Sequence, residues 1–231
     1  MVDHNLSDDF DFDLEMFEED EPTKVKTKFA RVKRYKKPTV AKYEKAQDLV
    51  NDIGIIEKDE HIDCIVSGDF IAGDLIEAYL FENKLIATEI IIGTLSLSEE
   101  NVDSLKNIVD YRLEGSMGLI VSDFFFSHER KKIVEYIIKE LGSDYFTLAV
   151  AGIHTKLTLI RTQCGQFITI SGSANLRSSY NIEQICIFNN ELTYMFHRKW
   201  MALILNRYYA KHEMLRRNKL WQLVAAEKVV A

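Results

Sequence analysis

Proline is nearly missing from this chain. Its 231 residues contain two, Pro22 and Pro38, both within the first 45. Cysteine is scarce as well: Cys64, Cys164 and Cys186 are the only three. An odd count with no close pair argues against a disulfide framework or a CxxC zinc site, and suits small buried thiols in a reducing compartment. No apolar run approaches the roughly 20 residues that a membrane-spanning helix requires. The N-terminus lacks the basic and apolar regions of a signal peptide. A cytoplasmic protein with no membrane partner is therefore expected. A surplus of positive charge is also absent, since 29 Lys and Arg face 36 Asp and Glu, for a net charge of −7. That excludes coating nucleic acid by bulk charge but leaves room for a local basic cleft.

What is present is ordinary globular material, 47% hydrophobic and 28% charged. The length suits one sizeable α/β domain with a tail. Residues 1–45 form a leader of two opposite halves. Met1 to Glu21 carries ten acidic side chains and no Lys or Arg, interleaved with Phe10, Phe12, Leu14, Met16 and Phe17. Such a block repels itself and buries little, so disorder is expected, with a protein partner for its aromatics as the functional alternative. Lys24 to Lys45 carries ten Lys or Arg and one acid, Glu44. It either folds back on the acidic block or reaches towards nucleic acid as a basic arm. A helix is expected after Pro38, from Tyr43 to Val50.

From His61 the pattern becomes regular. Strands are expected at 62–67, 87–93 and 118–122. Helices follow each of them: Leu75 to Asn83 capped by Asp74, a second opening at Ser98-Glu99-Glu100, and a third from Ser127 to Leu141 ended by Gly142. The strands are apolar runs rather than alternating ones, as in a largely parallel sheet covered on both faces. Further strands are expected at 145–151, 154–160, 167–171 and 182–188, a meander joined to the parallel half. From Glu191 to Ala226 there is no Gly or Pro. Met195, Trp200, Leu203, Ile204, Tyr208 and Leu215 form an apolar stripe, so one long C-terminal helix, or two, is expected. The expected domain spans 46–226, with 227–231 as a tail.

The chemistry concentrates between Gly152 and Gln184. On a strand, His154 and Lys156 point the same way. If 167–173 pairs back as a hairpin, Gly172-Ser173-Ala174-Asn175 lies beside them. Gly172 permits close backbone approach, Ser173 and Asn175 supply a hydroxyl and an amide, and Lys156 supplies charge. Together they make a phosphate cradle. Glu183 on the next strand is positioned to accept from one nitrogen of a histidine, leaving the other as a nucleophile. Arg177, directly after the cradle, is a candidate contact for the substrate's phosphate backbone. An isolated His-x-Lys or Gly-Ser-x-Asn is usually surface decoration or a turn. Their joint occurrence in this order, followed by a Glu, is what carries the signal.

His154-Thr155-Lys156 followed by Gly172-Ser173-Ala174-Asn175 resembles the HxK…GSxN signature of the phospholipase D-like superfamily, in the short single-motif form found in phages and bacterial mobile elements. The resemblance implies an α/β mixed sheet with helices on both faces. It implies a metal-independent, cofactor-independent phosphodiesterase, most plainly a nuclease acting on DNA in a bacterial or phage-infected cell. His154 would form a phosphohistidine, Lys156, Ser173 and Asn175 would stabilise charge on the phosphoryl oxygens, and Glu183 would orient a catalytic histidine. Two motifs are needed for catalysis, because a second histidine protonates the leaving group. This chain has one, so the resemblance implies a homodimer with two copies of His154 across a two-fold axis. Arg161 stands where the signature has an Asp. That departure leaves a catalytically degenerate nucleic-acid-binding or phage structural protein as the alternative.

Overall fold

The structure is a computed structural model that describes residues 30–34, 37–41, 46–66, 70–142, 144–177 and 181–210. The apolar runs read as strands all sit in one nine-stranded mixed sheet. In chain order its strands are β1 (Ala30–Arg34), β2 (Lys37–Ala41), β3 (His61–Val66), β4 (Ala87–Thr94), β5 (Leu113–Ser122), β6 (Phe146–Ala151), β7 (Leu157–Thr162), β8 (Phe167–Gly172) and β9 (Glu183–Asn189). Across the sheet the order is β2-β1-β3-β9-β8-β7-β4-β5-β6. The neighbours β4, β5 and β6 are parallel. The meander β7-β8-β9 is antiparallel throughout and is inserted between β4 and β3.

Helices cover both faces. On one lie α1 (Ala46–Ile53), α2 (Ala72–Glu82), α3 (Glu99–Tyr111) and α5 (Glu135–Leu141), the last joined to α4 (Asp123–Glu129) by a π-helical turn, Arg130–Val134. They enclose the larger core, with Leu49, Ile56, Leu80, Ile90, Leu119 and Ile137 among its fully buried members. On the other face α6 (Glu191–Arg207) packs Tyr194, Met201 and Leu205 on Ile91, Ile120 and Leu159. Burial from both sides explains why β4 is an apolar run: seven of its eight residues are buried. Each buried Leu or Ile contributes roughly 1.5–3 kcal/mol relative to exposure. At the start of α3, the Ser98 backbone N–H donates to Asn101 Oδ1 at 3.0 Å, satisfying one of the donors that a helix start leaves open.

Several expectations shift. The basic half of the leader is not wholly outside the fold, because 30–34 and 37–41 pair as an antiparallel hairpin whose first strand extends the sheet beside β3. The acidic block and Tyr43 lie outside the described residues. Asp74 is no cap: α2 begins two residues earlier, and Asp74 sits within its first turn, accepting from Ser104 Oγ at 3.3 Å. Its carboxyl is held above its ordinary value, because burial outweighs that hydrogen bond. The third helical stretch starts at Asp123 rather than Ser127, so His128 lies in the last turn of α4 instead of opening a helix. The C-terminal helix stops at Arg207; Tyr209 then pairs with Ala149 as an isolated bridge along β6. The stripe residue Leu215 lies outside the described residues. Among the described residues, no helix is long and apolar enough to cross a membrane.

Candidate active site

The site begins with a crossing. β6 ends at Ala151, and the next strand in sequence, β7, lies three places away across the sheet. Residues 152–156 must therefore pass over the C-terminal ends of β5 and β4. Ile153 anchors this passage by packing against the small core under α6. Gly93, at the end of β4, lies beneath it. A Cβ on Gly93 would be 3.5 Å from Thr155 Oγ1 and 3.3 Å from the Met201 methyl group, so the site segment, β4 and α6 meet closely there. His154 and Lys156 thus lie ahead of β7, which starts at Leu157, and not on a strand as the alternation suggested. The strand's pleat does not set their directions.

Their contact is direct. Lys156 Nζ lies 3.2 Å from His154 Nδ1 and 3.2 Å from the His154 carbonyl oxygen. An ammonium only donates, so Nδ1 accepts, and a neutral His154 in this arrangement carries its proton on Nε2. His154 is exposed and Lys156 half-buried.

The second half of the motif joins at the same end of the β7–β8 hairpin. The Gly172 N–H donates to the Lys156 carbonyl at 3.3 Å. Gly172 is required sterically, since a Cβ there would fall 2.0 Å from the Gln184 backbone oxygen on β9. Ser173 is locked to β9 twice over: its N–H donates to Gln184 O at 3.0 Å, and its Oγ accepts from the Gln184 N–H at 3.0 Å. The Ser173 hydroxyl donates to Glu183 Oε2. Glu183 was expected to face a histidine; within one chain its carboxylate is instead engaged by Ser173. Asn175 is half-buried with its Oδ1 lacking a hydrogen-bond partner, and Arg177 is exposed. The two halves of the motif share a narrow cleft of about 30 Å³, lined by Lys156, Gly172 and Ala174 together with Ala72, Gly93 and Thr94. The loop after Asn175 is tied to α2 by the Gly73 N–H, which donates to Leu176 O at 2.8 Å.

Arg161 sits at the far end of β7. Its Nε donates to Thr88 Oγ1 at 3.1 Å, and Thr88 Oγ1 in turn donates to the Arg161 carbonyl at 3.2 Å. Its Cα partner across the ladder is Glu89. Glu89 is buried, and Arg198 of α6 grips it with two bonds, Nε to Oε2 at 2.6 Å and Nη2 to Oε1 at 2.8 Å. Tyr194 adds a third bond at 2.6 Å. Burial pushes the Glu89 carboxyl up, but the bonds from Arg198 and Tyr194 and the nearby charges of Arg198 and Arg161 outweigh it and hold Glu89 below its ordinary value. Burial and the Glu89 bond push the Tyr194 phenol up. This network was not read from the sequence. The available signal was a Glu inside the apolar run ATEIIIG, at a position that buries.

Among the described residues, the other histidines stand elsewhere. His128 lies against Phe124, with its Nδ1 2.7 Å from the Phe124 carbonyl. His197 accepts from Trp200 Nε1 at 3.3 Å on α6.

No family model matches the sequence, and no curated protein matches it. Solved structures are similar in part. Nuc, a phospholipase D family member from Salmonella typhimurium, aligns over 54% of this chain and 81% of its own, at 14% identity and a TM-score of 0.42. NucT from Helicobacter pylori aligns over 53% and 82%, at 14% identity and 0.43. Phosphatidylserine synthase from Haemophilus influenzae aligns over 74% of this chain and 46% of its own, at 13% identity and 0.48.

Proposed function

We propose that this chain is a phospholipase D-like phosphodiesterase that hydrolyses DNA through a phosphohistidine. The observation that carries the proposal is the joining of His154-Thr155-Lys156 to Gly172-Ser173-Ala174-Asn175 by the Gly172–Lys156 backbone bond at one exposed end of the sheet. That end combines an exposed imidazole, an ammonium, a hydroxyl and an amide, the groups that hold and attack a phosphodiester.

In the first step His154 Nε2 attacks phosphorus, the bond to the leaving oxygen breaks, and a second histidine donates a proton to that oxygen. In the second step the same histidine takes a proton from water. The resulting hydroxide attacks phosphorus, and the phosphorus–nitrogen bond breaks. Lys156, Ser173 and Asn175 hold the phosphoryl oxygens, and Arg177 contacts the substrate's backbone. No other histidine among the described residues stands at this site, so the second histidine is His154 of another copy in a homodimer. The attacking form needs the proton on Nδ1, whereas Lys156 now donates to that atom. Catalysis therefore requires Lys156 to turn to the phosphate and a carboxylate to take its place, the role proposed for Glu183 once Ser173 releases it.

The engagement of Glu183 by Ser173, and of His154 by Lys156, favours one competing reading. In it the cradle is degenerate and holds nucleic acid without cutting it. Incubation of the purified chain with plasmid and single-stranded DNA in excess EDTA, beside His154→Ala, separates the two. Cleavage by the wild type alone is expected. Binding by both proteins with cleavage by neither overturns the hydrolase. Sedimentation as a monomer at the concentration of cleavage overturns the shared site.

A further inference from the structure

A second cluster of reactive side chains lies on the sheet, distant in sequence from the HxK segment. β3 and β9 are antiparallel neighbours, and their register sets His61 opposite Phe188 and Asp63 opposite Cys186. Side chains two apart on a strand share a face, so His61, Asp63 and Cys186 emerge together. His61 Nε2 is 3.3 Å from Asp63 Oδ1. Cys186 Sγ is 2.9 Å from the same oxygen. One ligand-type atom from each of the three lies within 4.8 Å of the others.

We propose that His61, Asp63 and Cys186 form a binding site for a divalent transition-metal ion of the zinc type, with a fourth position open to water. The spacing fits. Bonds of roughly 2.0–2.3 Å in a tetrahedral zinc site put ligand atoms roughly 3.3–3.6 Å apart. The two contacts at Asp63 Oδ1, 3.3 and 2.9 Å, lie at and just below that range, so small side-chain turns that open them meet it. The donor set selects the ion: imidazole and thiolate favour zinc and its neighbours, whereas magnesium and calcium require oxygen throughout.

The surroundings already do what the outer partners of a metal ligand do. The His61 ring stacks on Phe188, with centroids 4.1 Å apart and planes 19° apart, which fixes the direction of its ring nitrogens. Gln184 Nε2 reaches Cys186 Sγ at 3.5 Å, an amide donor aimed at sulfur that stabilises a thiolate ligand. Without the ion, burial and Asp63 push the Cys186 thiol up to about 11, so binding must displace its proton. The sulfur–metal bond forms, the S–H bond breaks, and the proton leaves to solvent. The site is independent of the proposed hydrolysis. It joins β3 to β9 beside Gln184, the residue to which Ser173 is bonded, so the ion would clamp the strand that carries Glu183.

Titration of the metal-free full chain with Co²⁺ tests the proposal. One equivalent should produce a sulfur-to-cobalt charge-transfer band in the near ultraviolet and the intense visible bands of four-coordination, and Zn²⁺ should abolish both. Cys186→Ser should remove the charge-transfer band, while Cys164→Ser, which alters an exposed thiol, should keep it. Zn²⁺ affinity, read by competition with a chromophoric chelator, should fall in His61→Gln by more than the roughly 10–100-fold that losing an outer partner costs. His61→Gln also serves if Cys186→Ser does not fold. A wild-type protein without the charge-transfer band overturns the site. So does a band that survives Cys186→Ser, or a Zn²⁺ affinity unchanged in His61→Gln.

Discussion

The two ends of the β7–β8 hairpin have opposite characters. At the turn, residues 162–166, nearly every polar group is spoken for. The Thr162 N–H donates to Gln166 O at 3.1 Å, the Gln166 N–H donates to Thr162 Oγ1 at 3.0 Å, and Gly165 supplies the left-handed φ of 86° that closes the turn. The Gln166 side chain accepts from the buried Tyr79 hydroxyl at 3.2 Å and donates to Ile56 O at 3.2 Å. Asn189 reaches the same carbonyl at 2.8 Å. The Glu89–Arg198–Tyr194 cluster stands just behind, beside Arg161. At the open end, His154 and Ser173 are exposed and Asn175 Oδ1 has no partner. One end uses its polar groups to hold the sheet together; at the other they bond mainly to one another, Lys156 to His154 and Ser173 to Glu183, at an exposed surface. A ligand at the open end has only local side-chain bonds to replace, while the turn end keeps the hairpin in place.

The difference predicts that damage at the turn end lowers stability and spares cleavage per folded molecule, and that damage at the open end does the reverse. The largest effect should come from Glu89→Ala. It strands the Arg198 guanidinium beside a buried gap, at a cost of roughly 3–5 kcal/mol, measured by urea unfolding at neutral pH. The folded Glu89 carboxyl is held below its ordinary value. Its contribution is therefore complete above that ordinary value and disappears as the pH falls through the lower folded one. The gap between wild type and variant should narrow on acidification, and a gap that widens would show that the pairing does not set it. Next comes Lys156→Met, at the open end. Removing one donor to the phosphoryl oxygens should lower the cleavage rate about 100–1,000-fold, with unfolding free energy changed by less than about 0.5 kcal/mol. A comparable loss of stability would erase the contrast between the ends. The smallest effect is Tyr79→Phe. It removes two buried hydrogen bonds, one donated to Gln166 and a long one accepted from the Ile56 N–H, and should cost about 1–2 kcal/mol, with cleavage unchanged.

The sequence showed the hairpin's two ends unequally, for physical reasons. The HxK and GSAN segments are local patterns, and the apolar runs on either side are long enough to announce strands. Residues 87–93 and 167–171 are strands as expected, within a residue or two. Partner choice is not local. Glu183 follows Ser173 by ten positions, and only the β8–β9 register brings them together, so sequence alone favoured the histidine for chemical reasons. The segment 152–156 imitates a strand because it alternates like one, yet it turns tightly at its start, where the Ile153 N–H donates to Ala151 O, and it reaches the sheet only at Lys156, whose carbonyl accepts from Gly172. The β1–β2 hairpin was hidden by charge: Lys and Arg repel on an isolated chain, but the strands' backbone donors and acceptors pair regardless. The end of α6 at Arg207 carries no Gly or Pro and is set by the Ala149–Tyr209 bridge. His61, Asp63 and Cys186 are separated by up to 125 positions in the sequence, and a single strand pairing assembles them.

The crossing from β6 to β7 is also a matter of reach. Three strand spacings of about 4.8 Å separate the two, roughly 14 Å in all. Six Cα-to-Cα links join Ala151 to Leu157, and fully extended they reach at most about 21 Å. About two-thirds of the available length is consumed by distance alone, before any allowance for climbing over the ends of β5 and β4. The tether that carries His154 therefore has about a third of its length to spare, part of it taken up by the turn in which the Ile153 N–H donates to Ala151 O. The height and lateral position of its imidazole are set largely by how many residues the span contains, so the count between the two strands is as much a part of the site as the identities of the residues within it.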